Sequence, residues 1–363
     1  MLRGLDLWRE SCPSWEQGGS FLLLNPRLTG AVRERWLAAE FPDLEEHVWL
    51  GTSGTSGNLK MVALARTALE ASARAVNNHL GVTSDDVWLN PLPFFHVGGL
   101  GMGLRAELAG TRHEAMRGGW SPEDYVLAVE QTGATLSALV PAQVHDLVAA
   151  GCRAPLSLRA VVVGGGALAD TLRWPALALG WPLLPSYGLT EAASQVATAR
   201  VGQLEVEWLP VLEHLEVRTG RDGVLELRGP SLFTGWLISG DGPVRWEDPK
   251  RDGWYATSDR AEVRGRELRV LGRLDDLVKI RGELVDVAAL ERSLQARVAS
   301  GLVLVRSVPD ERNGVALHVV AENGMAAAEA RAARDDVFPA FARPETISTG
   351  VMARNALGKP VRT

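Results

Sequence analysis

Short apolar runs alternate with helical patterns along the N-terminal half of the chain. The apolar runs predict strands at residues 48–50, 61–65, 86–92, 134–140, 158–163 and 183–185. Helical spacing between them predicts helices at residues 31–41, 68–80, 122–131 and 142–150. Strands that alternate with helices pair in parallel, so the pattern predicts an α/β fold with a helix-covered sheet.

The pattern changes after about residue 211. Two hairpin-like pairs, at 215–228 with a turn at 220–223 and at 261–271 with a turn at Gly265, predict a barrel-like antiparallel part. From residue 277 the chain returns to mixed strands and helices, with strands at 277–281, 302–305, 315–321 and 346–352 and helices after Asp286 and at 325–341. We therefore expect a large N-terminal domain, 1–274, and a small α+β C-terminal domain, 275–363.

Local signals mark several helix starts. Thr67 and Glu70 have the spacing of a capping box, and Ser121 followed by Pro122 is typical of a helix start. The predicted strand 86–92 leads through Phe94, Phe95 and His96 into the glycine-rich segment 98–103, and SYGLTE at 186–191 directly follows the strand 183–185. Ligands of such sheets bind beyond the carboxyl ends of strands, where we expect the GGG at 164–166 and SYGLTE to lie.

Composition and charge exclude several classes of protein. The chain is 46% hydrophobic and carries a net charge of −6, so no general basic field favours nucleic acid or an anionic membrane. Cys12 and Cys152 have neither zinc-site spacing nor a disulfide framework, which favours a reducing, cytoplasmic location. The N-terminal residues lack the apolar segment of a signal peptide, and no apolar run reaches the roughly 18 residues of a membrane span.

Residues 51–60, GTSGTSGNLK, are the strongest candidate for a ligand site. Glycines allow backbone N–H groups to converge on an anion, hydroxyl groups add donors, and Lys60 adds a positive charge. The segment is not a Walker A loop, because Asn58 follows Gly57 and no Ser or Thr follows Lys60. A flexible linker is the alternative, but a linker has no need of the apolar flanks or the lysine. We expect a polyphosphate to bind here.

Together with seven later motifs, this loop resembles the adenylate-forming superfamily of acyl-CoA synthetases, peptide-synthetase adenylation domains and luciferases. The motifs occur in the family's order: GTSGTSGNLK (51–60), PFFHVGGL (93–100), VVVGGGAL (161–168), SYGLTE (186–191), LELRGPSLFTGW (225–236), DGWYATSD (252–259), LGRLDDLVKIRGE (271–283) and RNALGKPVR (354–362). The resemblance implies a large N-terminal domain and a small, mobile C-terminal domain. It also implies a two-step enzyme that joins a carboxylic acid to ATP and then transfers the acyl group to CoA, with Mg²⁺ as cofactor.

The resemblance implies a role for each matching residue. The phosphate loop would hold the β- and γ-phosphates through Thr52, Ser53, Gly54, Thr55, Ser56, Gly57 and Lys60. Adenine would stack on Tyr187, in a nucleotide site completed by Gly165, Gly166, Ala167, Ser186 and Gly188. Thr190 would contact the α-phosphate and Glu191 would coordinate Mg²⁺, while Asp259 would bind the ribose hydroxyls and Arg273 would contact the ribose or a phosphate. Asp275 matches the hinge position, and Lys359 matches the catalytic lysine that bridges the acid and the α-phosphate.

The acyl substrate is indicated by a shorter stretch. YGLTEAASQV resembles the o-succinylbenzoate–CoA ligases of menaquinone biosynthesis, whose substrate is an aromatic dicarboxylate, and His96, Ser194 and Gln195 are the candidate acyl-site residues. Other readings stay open at this stage: another aryl- or medium-chain acyl-CoA ligase, or a nucleotide-binding module without catalysis. The chain departs from the family at Asn58, Leu59, Met61 and Ser258, and it is short before the phosphate loop. The resemblance also leaves a homodimer open.

Overall fold

The structure, a computed structural model, describes residues 2–3, 19–26, 28, 30–52, 60–116, 118–203, 206–239, 244–280, 283–310 and 314–352. Its helices are α1 (Gly30–Ala38), α2 (Arg66–Leu80), α3 (Val97–Ala109), α4 (Pro122–Thr132), α5 (Pro141–Ala149), α6 (Asp170–Ala178), α7 (Val287–Gln295) and α8 (Gly324–Val337). In the part of the chain that the structure describes, none of these helices is long and apolar enough to cross a membrane.

The strands fall into several sheets, in agreement with the predicted α/β architecture. They are β1 (Leu2–Arg3), β2 (Phe21–Leu23), β3 (His47–Thr52), β4 (Lys60–Ala65), β5 (Val87–Asn90), β6 (Arg112–Ala115), β7 (Leu136–Leu139), β8 (Ala160–Val163), β9 (Leu183–Leu189), β10 (Ser194–Thr198), β11 (Leu209–Pro210), β12 (Glu216–Thr219), β13 (Val224–Arg228), β14 (Gly235–Ile238), β15 (Arg245–Glu247), β16 (Tyr255–Arg264), β17 (Glu267–Arg273), β18 (Leu277–Ile280), β19 (Glu283–Asp286), β20 (Val303–Asp310), β21 (Gly314–Ala321) and β22 (Thr346–Thr349).

The predicted parallel sheet is present, with strand order β10-β9-β8-β7-β5-β6. Its strands pair in parallel except at β10, which turns back antiparallel on β9. β9 runs through Ser186, Tyr187 and Gly188 to Leu189, so the prediction that the strand ends at residue 185 is wrong. The antiparallel partner β10 explains the extension, because it satisfies the backbone groups of SYGL.

A second sheet, with order β1-β2-β3-β4-β14-β15, carries the phosphate loop. β3 and β4 form the antiparallel hairpin that this loop connects, with Thr52 opposite Lys60 at the loop end. Both flanking strands were expected from their apolar residues, and both are buried over most of their length. β14 pairs with the other side of β4, a long-range pairing that local patterning does not reveal.

The antiparallel part after residue 211 is also present, as a sheet with order β11-β17-β16-β13-β12. Its closure into a barrel stays a prediction. The hairpin β12–β13 turns through a 3₁₀ segment at Arg221–Gly223, as the turn at 220–223 predicted.

The C-terminal residues have a hydrophobic core of their own. The hairpin β18–β19 and the sheet β20-β21-β22 pack with α7 and α8 around buried residues between Ile280 and Ala342. Asp286 caps α7 by accepting a hydrogen bond from the Ala289 N–H, as expected. This unit contacts the preceding sheet through Arg260–Asp286 at 3.4 Å, and Arg292 donates to the Leu271 carbonyl at 2.7 Å. The boundary at residue 274 stays a prediction.

Helix starts confirm one capping signal and contradict another. Ser121 accepts a hydrogen bond from the Asp124 N–H at the start of α4, as expected. The capping box of Thr67 and Glu70 is wrong, because α2 already begins at Arg66. Glu70 pairs instead with Arg66, one turn earlier, at 2.8 Å.

The glycine-rich segment 98–103 lies inside α3, although its composition indicates irregular backbone. Packing decides this segment: a Cβ on Gly99 would lie 2.3 Å from the Pro93 carbonyl oxygen. The helix comes so close to the chain before it that glycine is required there, and tertiary contact outweighs the low helix propensity of glycine.

Candidate active site

The nucleotide-binding candidates lie at neighbouring strand ends of the parallel sheet. Gly165, Gly166 and Ala167 follow β8, and Ser186, Tyr187 and Gly188 lie in β9, its parallel neighbour. This is the position at which parallel sheets bind ligands. The two motifs, which are separate in sequence, therefore lie side by side, as the strand pattern predicted.

The phosphate loop is described only at its two ends. Thr52 ends β3 and Lys60 begins β4, and the two are paired across the hairpin. Ser53, Gly54, Thr55, Ser56 and Gly57 lie outside the described residues. The Lys60 ammonium lies over the indole ring of Trp236 in β14, with Nζ 3.5 Å from the ring centroid.

Tyr187, Asp259 and Arg273 come together from two sheets. The Tyr187 hydroxyl donates to Asp259 Oδ2 at 2.6 Å, and Arg273 Nη1 lies 3.7 Å from Asp259 Oδ1. Asp259 and Arg273 are directly opposite in β16 and β17, so the strand register itself sets this pair. The Asp259 N–H donates to the Thr257 hydroxyl at 3.0 Å, which fixes the backbone. Burial, followed by the charge of Asp259, raises the pKa of the Tyr187 hydroxyl, which therefore stays a neutral donor.

Thr190 and Glu191 lie in a 3₁₀ turn that links β9 to β10. Burial raises the pKa of the Glu191 carboxyl group, and the nearby charge of Lys60 opposes this effect. The turn is fixed from the other side, because the Phe233 N–H donates to the Glu191 carbonyl at 2.9 Å.

The residues present fit a magnesium ion that arrives with a nucleotide. Within the described residues no group of three or more His, Cys, Asp or Glu side chains could hold a metal. Glu191 is half-buried and forms no ion pair within the described residues, so its carboxylate can accept a cation. Mg²⁺ is commonly held by one or two carboxylates together with phosphate oxygens and water, which matches this donor set.

Gly188 is required by the close approach of β9 and β10. A Cβ on this residue would lie 2.2 Å from the Ser194 carbonyl oxygen, well inside van der Waals contact. Any larger residue would push the turn that carries Glu191 away from its position.

The three acyl-site candidates have different surroundings. His96 is half-buried at the start of α3, with its ring 4.6 Å from that of Phe95. Ser194 and Gln195 are both buried in β10. The Gln195 side-chain Oε1 accepts from the Thr198 hydroxyl, whereas the Ser194 hydroxyl accepts from Arg105 Nη2 at 3.0 Å.

Arg105 is a residue that the sequence reasoning missed. It is 2% exposed on α3, and burial lowers the pKa of its guanidinium to about 10. Its Nε is buried without a hydrogen-bond partner, and no carboxylate of the described residues pairs with it. Such a charge is costly unless it is paired, which makes the position a candidate for an anionic ligand. The available signal was one arginine within the otherwise apolar helix run 97–106.

The side chains of two candidate site residues lie outside the part of the chain that the structure describes. Asp275 lies in a 3₁₀ turn, Leu274–Asp276, between β17 and β18, and the structure does not describe its side chain. Lys359 lies outside the described residues.

Comparison with known proteins places the chain among AMP-binding enzymes. The family model described as AMP-binding enzyme matches residues 47–237, more than half of the chain. The chain is 34% identical over 263 residues to a 2-succinylbenzoate–CoA ligase of Escherichia coli strain K12, covering 72% of this chain and 55% of the relative. A 2-succinylbenzoate–CoA ligase of Bacillus cytotoxicus is 30% identical over 275 residues, with 70% of this chain and 55% of the relative covered. The match thus spans about half the length of each relative.

Solved structures show the same fold. The o-succinylbenzoate CoA synthetase of Bacillus subtilis in complex with the acyl-adenylate intermediate OSB-AMP superposes with a TM-score of 0.77 at 23% identity, covering 95% of this chain and 77% of that one. A variant of E. coli MenE with bound OSB-AMS gives a TM-score of 0.73 at 26% identity, covering 92% and 78%. The expected adenylate-forming fold is confirmed, and the chain belongs to the AMP-binding enzyme family.

Proposed function

We propose that this protein is an ATP-dependent 2-succinylbenzoate–CoA ligase that forms an acyl-AMP and then the CoA thioester. Relatives with that name and solved structures of that fold support the proposal. The relatives extend beyond the matched half, so activity, substrate and partners are proposals for this chain.

The choice of a dicarboxylic acid as substrate rests on the buried side chain of Arg105. Adenylation of a dicarboxylic acid consumes one carboxylate and leaves the other charged. A buried guanidinium with an unpaired Nε, joined by Nη2 to Ser194, is a ready partner for that second carboxylate. A monocarboxylic acid would leave the guanidinium unpaired, so the site favours a dicarboxylate over a benzoate or a fatty acid.

The first step joins the acid to AMP. A carboxylate oxygen attacks the α-phosphorus of ATP, the bond from that phosphorus to the bridging oxygen breaks, and pyrophosphate leaves with the bonding electrons. Asp259 accepts hydrogen bonds from the ribose hydroxyls, as a carboxylate suits a diol, and Tyr187 and Arg273 hold Asp259 in place. Thr190 contacts the α-phosphate, and the phosphate loop with Lys60 holds the leaving pyrophosphate.

Glu191 is the residue that would hold the metal. When bound, Mg²⁺ neutralises the charge that develops on the phosphate oxygens. Lys359 bridges the attacking carboxylate and the α-phosphate and stabilises the negative charge that develops on them.

The second step forms the thioester. The CoA thiolate attacks the acyl carbon, AMP leaves with the electrons of the carbon–oxygen bond, and the thiol proton passes to solvent. The separate core of the C-terminal unit supports a domain boundary at 274/275, and the turn with Asp275 is the proposed hinge. Rotation about this hinge would withdraw Lys359 and admit CoA. A homodimer and a cytoplasmic location stay predictions.

A matched set of acids tests the proposal. Pyrophosphate release and CoA-thioester formation are measured with 2-succinylbenzoate, with the two monocarboxylates that each lack one of its acid groups, and with benzoate and octanoate. We expect turnover with 2-succinylbenzoate, and a loss of at least tenfold in kcat/KM with the monocarboxylate that keeps only the chain acid. Turnover of benzoate or octanoate without turnover of 2-succinylbenzoate would refute the choice of acid. A protein that binds ATP but forms no acyl-AMP would favour the non-catalytic alternative.

A further inference from the structure

Lys60 and Trp236 are neighbours across two strands of the sheet that carries the phosphate loop. Lys60 is opposite Ile238, and Val62 is opposite Trp236, so Lys60 and Trp236 are diagonal neighbours on one face. The Lys60 Nζ lies 3.5 Å from the centroid of the indole ring. Such a cation–π contact is attractive, and more strongly so when water is excluded.

The indole ring is held firmly in this orientation. Trp236 is 6% exposed, and its ring packs 5.1 Å from that of Phe233 and 6.0 Å, edge to face, from that of Tyr255. Its Nε1 is buried without a hydrogen-bond partner among the described residues. Because the indole N–H makes no hydrogen bond there, the contacts of the ring faces determine the orientation of the side chain.

The same segment also fixes the turn that carries the proposed metal ligand. Phe233, three residues before Trp236, donates its N–H to the Glu191 carbonyl at 2.9 Å. β4, which begins at Lys60, packs against the turn that carries Glu191. Residues 233–236 therefore link the lysine at the end of the phosphate loop to the residue that would hold Mg²⁺.

We propose that Trp236 is a positioning residue for adenylation: its indole face holds the Lys60 ammonium at the end of the phosphate loop, where the ammonium meets the pyrophosphate part of ATP. This inference rests on the proposed function, in which Lys60 binds that part of the substrate. A lysine free to rotate loses side-chain entropy on binding phosphate, and a lysine already held on an aromatic face loses less. Trp236 thus contributes to the affinity for ATP and pyrophosphate without touching either.

The test is a double-mutant cycle between Trp236 and Lys60 in the full chain. Trp236→Leu removes the aromatic face and keeps an apolar side chain, Trp236→Phe keeps an aromatic face, and Lys60→Met removes the charge. The dissociation constant of MgATP is measured by calorimetry, and KM for pyrophosphate and kcat are measured by ATP–pyrophosphate exchange. Trp246, in β15 of the same sheet and 39% exposed, supplies the control variant Trp246→Leu.

We expect Trp236→Leu to weaken MgATP binding and raise KM for pyrophosphate about five- to tenfold, with kcat changed less than twofold. Trp236→Phe should recover most of this loss, and Trp246→Leu should leave both constants unchanged. In the Lys60→Met background, Trp236→Leu should have no further effect. Equal losses in both backgrounds, or a fall in kcat without a change in KM, would overturn the inference and show that Trp236 is a packing residue.

The readout separates this inference from the proposed function. MgATP binding needs no acyl substrate, so the cycle gives its answer whichever acid the enzyme uses. A wild-type protein that binds MgATP but does not adenylate 2-succinylbenzoate would overturn the proposed function alone.

Discussion

Replacing Arg105 with methionine should stabilise the free protein and abolish its use of a dicarboxylate. The guanidinium is buried, and the structure pairs it with a hydroxyl group, not with a carboxylate. A site that holds a charge ready for a ligand costs stability until the ligand arrives. Methionine has a similar length and an adaptable apolar side chain, so it should fill the space without the charge.

The size of this stabilisation follows from the pKa of Arg105, which burial lowers to about 10. This lowering corresponds to about 3 kcal/mol against folding with the charge in place. The hydrogen bond to Ser194 and the weak contact with the Trp88 ring, 5.8 Å away, together return about 1 kcal/mol. Arg105→Met should therefore raise the free energy of unfolding by about 2 kcal/mol, and the melting temperature by roughly 3 °C.

Arg105→Met should stabilise the fold at every pH between 6 and 9. A cation whose folded-state pKa lies below its unfolded value destabilises the fold at every pH below the folded-state pKa. The gain from Arg105→Met should therefore be constant between pH 6 and pH 9. Differential scanning fluorimetry at these two pH values measures it.

Ligand addition completes the experiment. 2-Succinylbenzoate with ATP should raise the melting temperature of the wild type and have little effect on Arg105→Met, whose adenylation should fall at least a hundredfold. The control is Arg159→Met. Arg159 donates to both carboxylate oxygens of Asp86 at 2.7 Å, so its loss should destabilise the fold by about 3 kcal/mol. If Arg105→Met is destabilised as strongly as this control, Arg105 is a structural residue and its assignment to the substrate carboxylate is wrong.

Three further predictions concern other parts of the molecule. Burial alone would raise the pKa of Asp86, but hydrogen bonds from Arg159, Thr135 and the Thr83 N–H, together with the Arg159 charge, lower it to about 2. Asp86 thus contributes about 2 kcal/mol to the free energy of unfolding above pH 4, and this contribution is lost as the pH falls towards 2. In urea unfolding, Asp86→Asn should therefore lower the free energy of unfolding by that amount at pH 7 and by clearly less at pH 3. Gly188→Ala should lower adenylation at least tenfold because its Cβ would meet the Ser194 carbonyl at 2.2 Å, whereas in Gly164→Ala the nearest atom is 3.7 Å away; equal activity of the two variants would contradict the close approach. Lys359→Ala should lower the rate of adenylation at least a hundredfold, more than Lys60→Ala does, and should leave thioester formation from supplied acyl-AMP largely intact. Equal loss in both steps, or a larger adenylation loss in Lys60→Ala, would count against the role of Lys359.

Local sequence was enough wherever neighbours along the chain decide the structure. The strands on both sides of the phosphate loop follow from their apolar residues, and the start of α4 follows from the Ser121 hydroxyl and Pro122. The juxtaposition of Gly165 and Tyr187 also followed, because parallel strands bring their carboxyl ends together.

Features that depend on distant residues could not be predicted in this way. The need for Gly99 in α3 is also hidden, because its close packing against the backbone of Pro93 depends on the folded path of the chain, which composition does not reveal. Arg105 is conspicuous only once its burial is known, and Trp236 only once β14 is known to pair with β4. Sequence separation hides both, although Trp236 lies within the motif 225–236.

The pairing of β4 with β14 has a consequence for synthesis of the chain. Residues 66–234 must leave the ribosome between these two strands, which takes roughly ten to thirty seconds at ordinary translation rates. During that time one edge of β4, a strand of buried apolar residues, has no partner strand. This edge stays open to pairing with other chains until residue 238 is made, so fragments that end before Gly235 should aggregate.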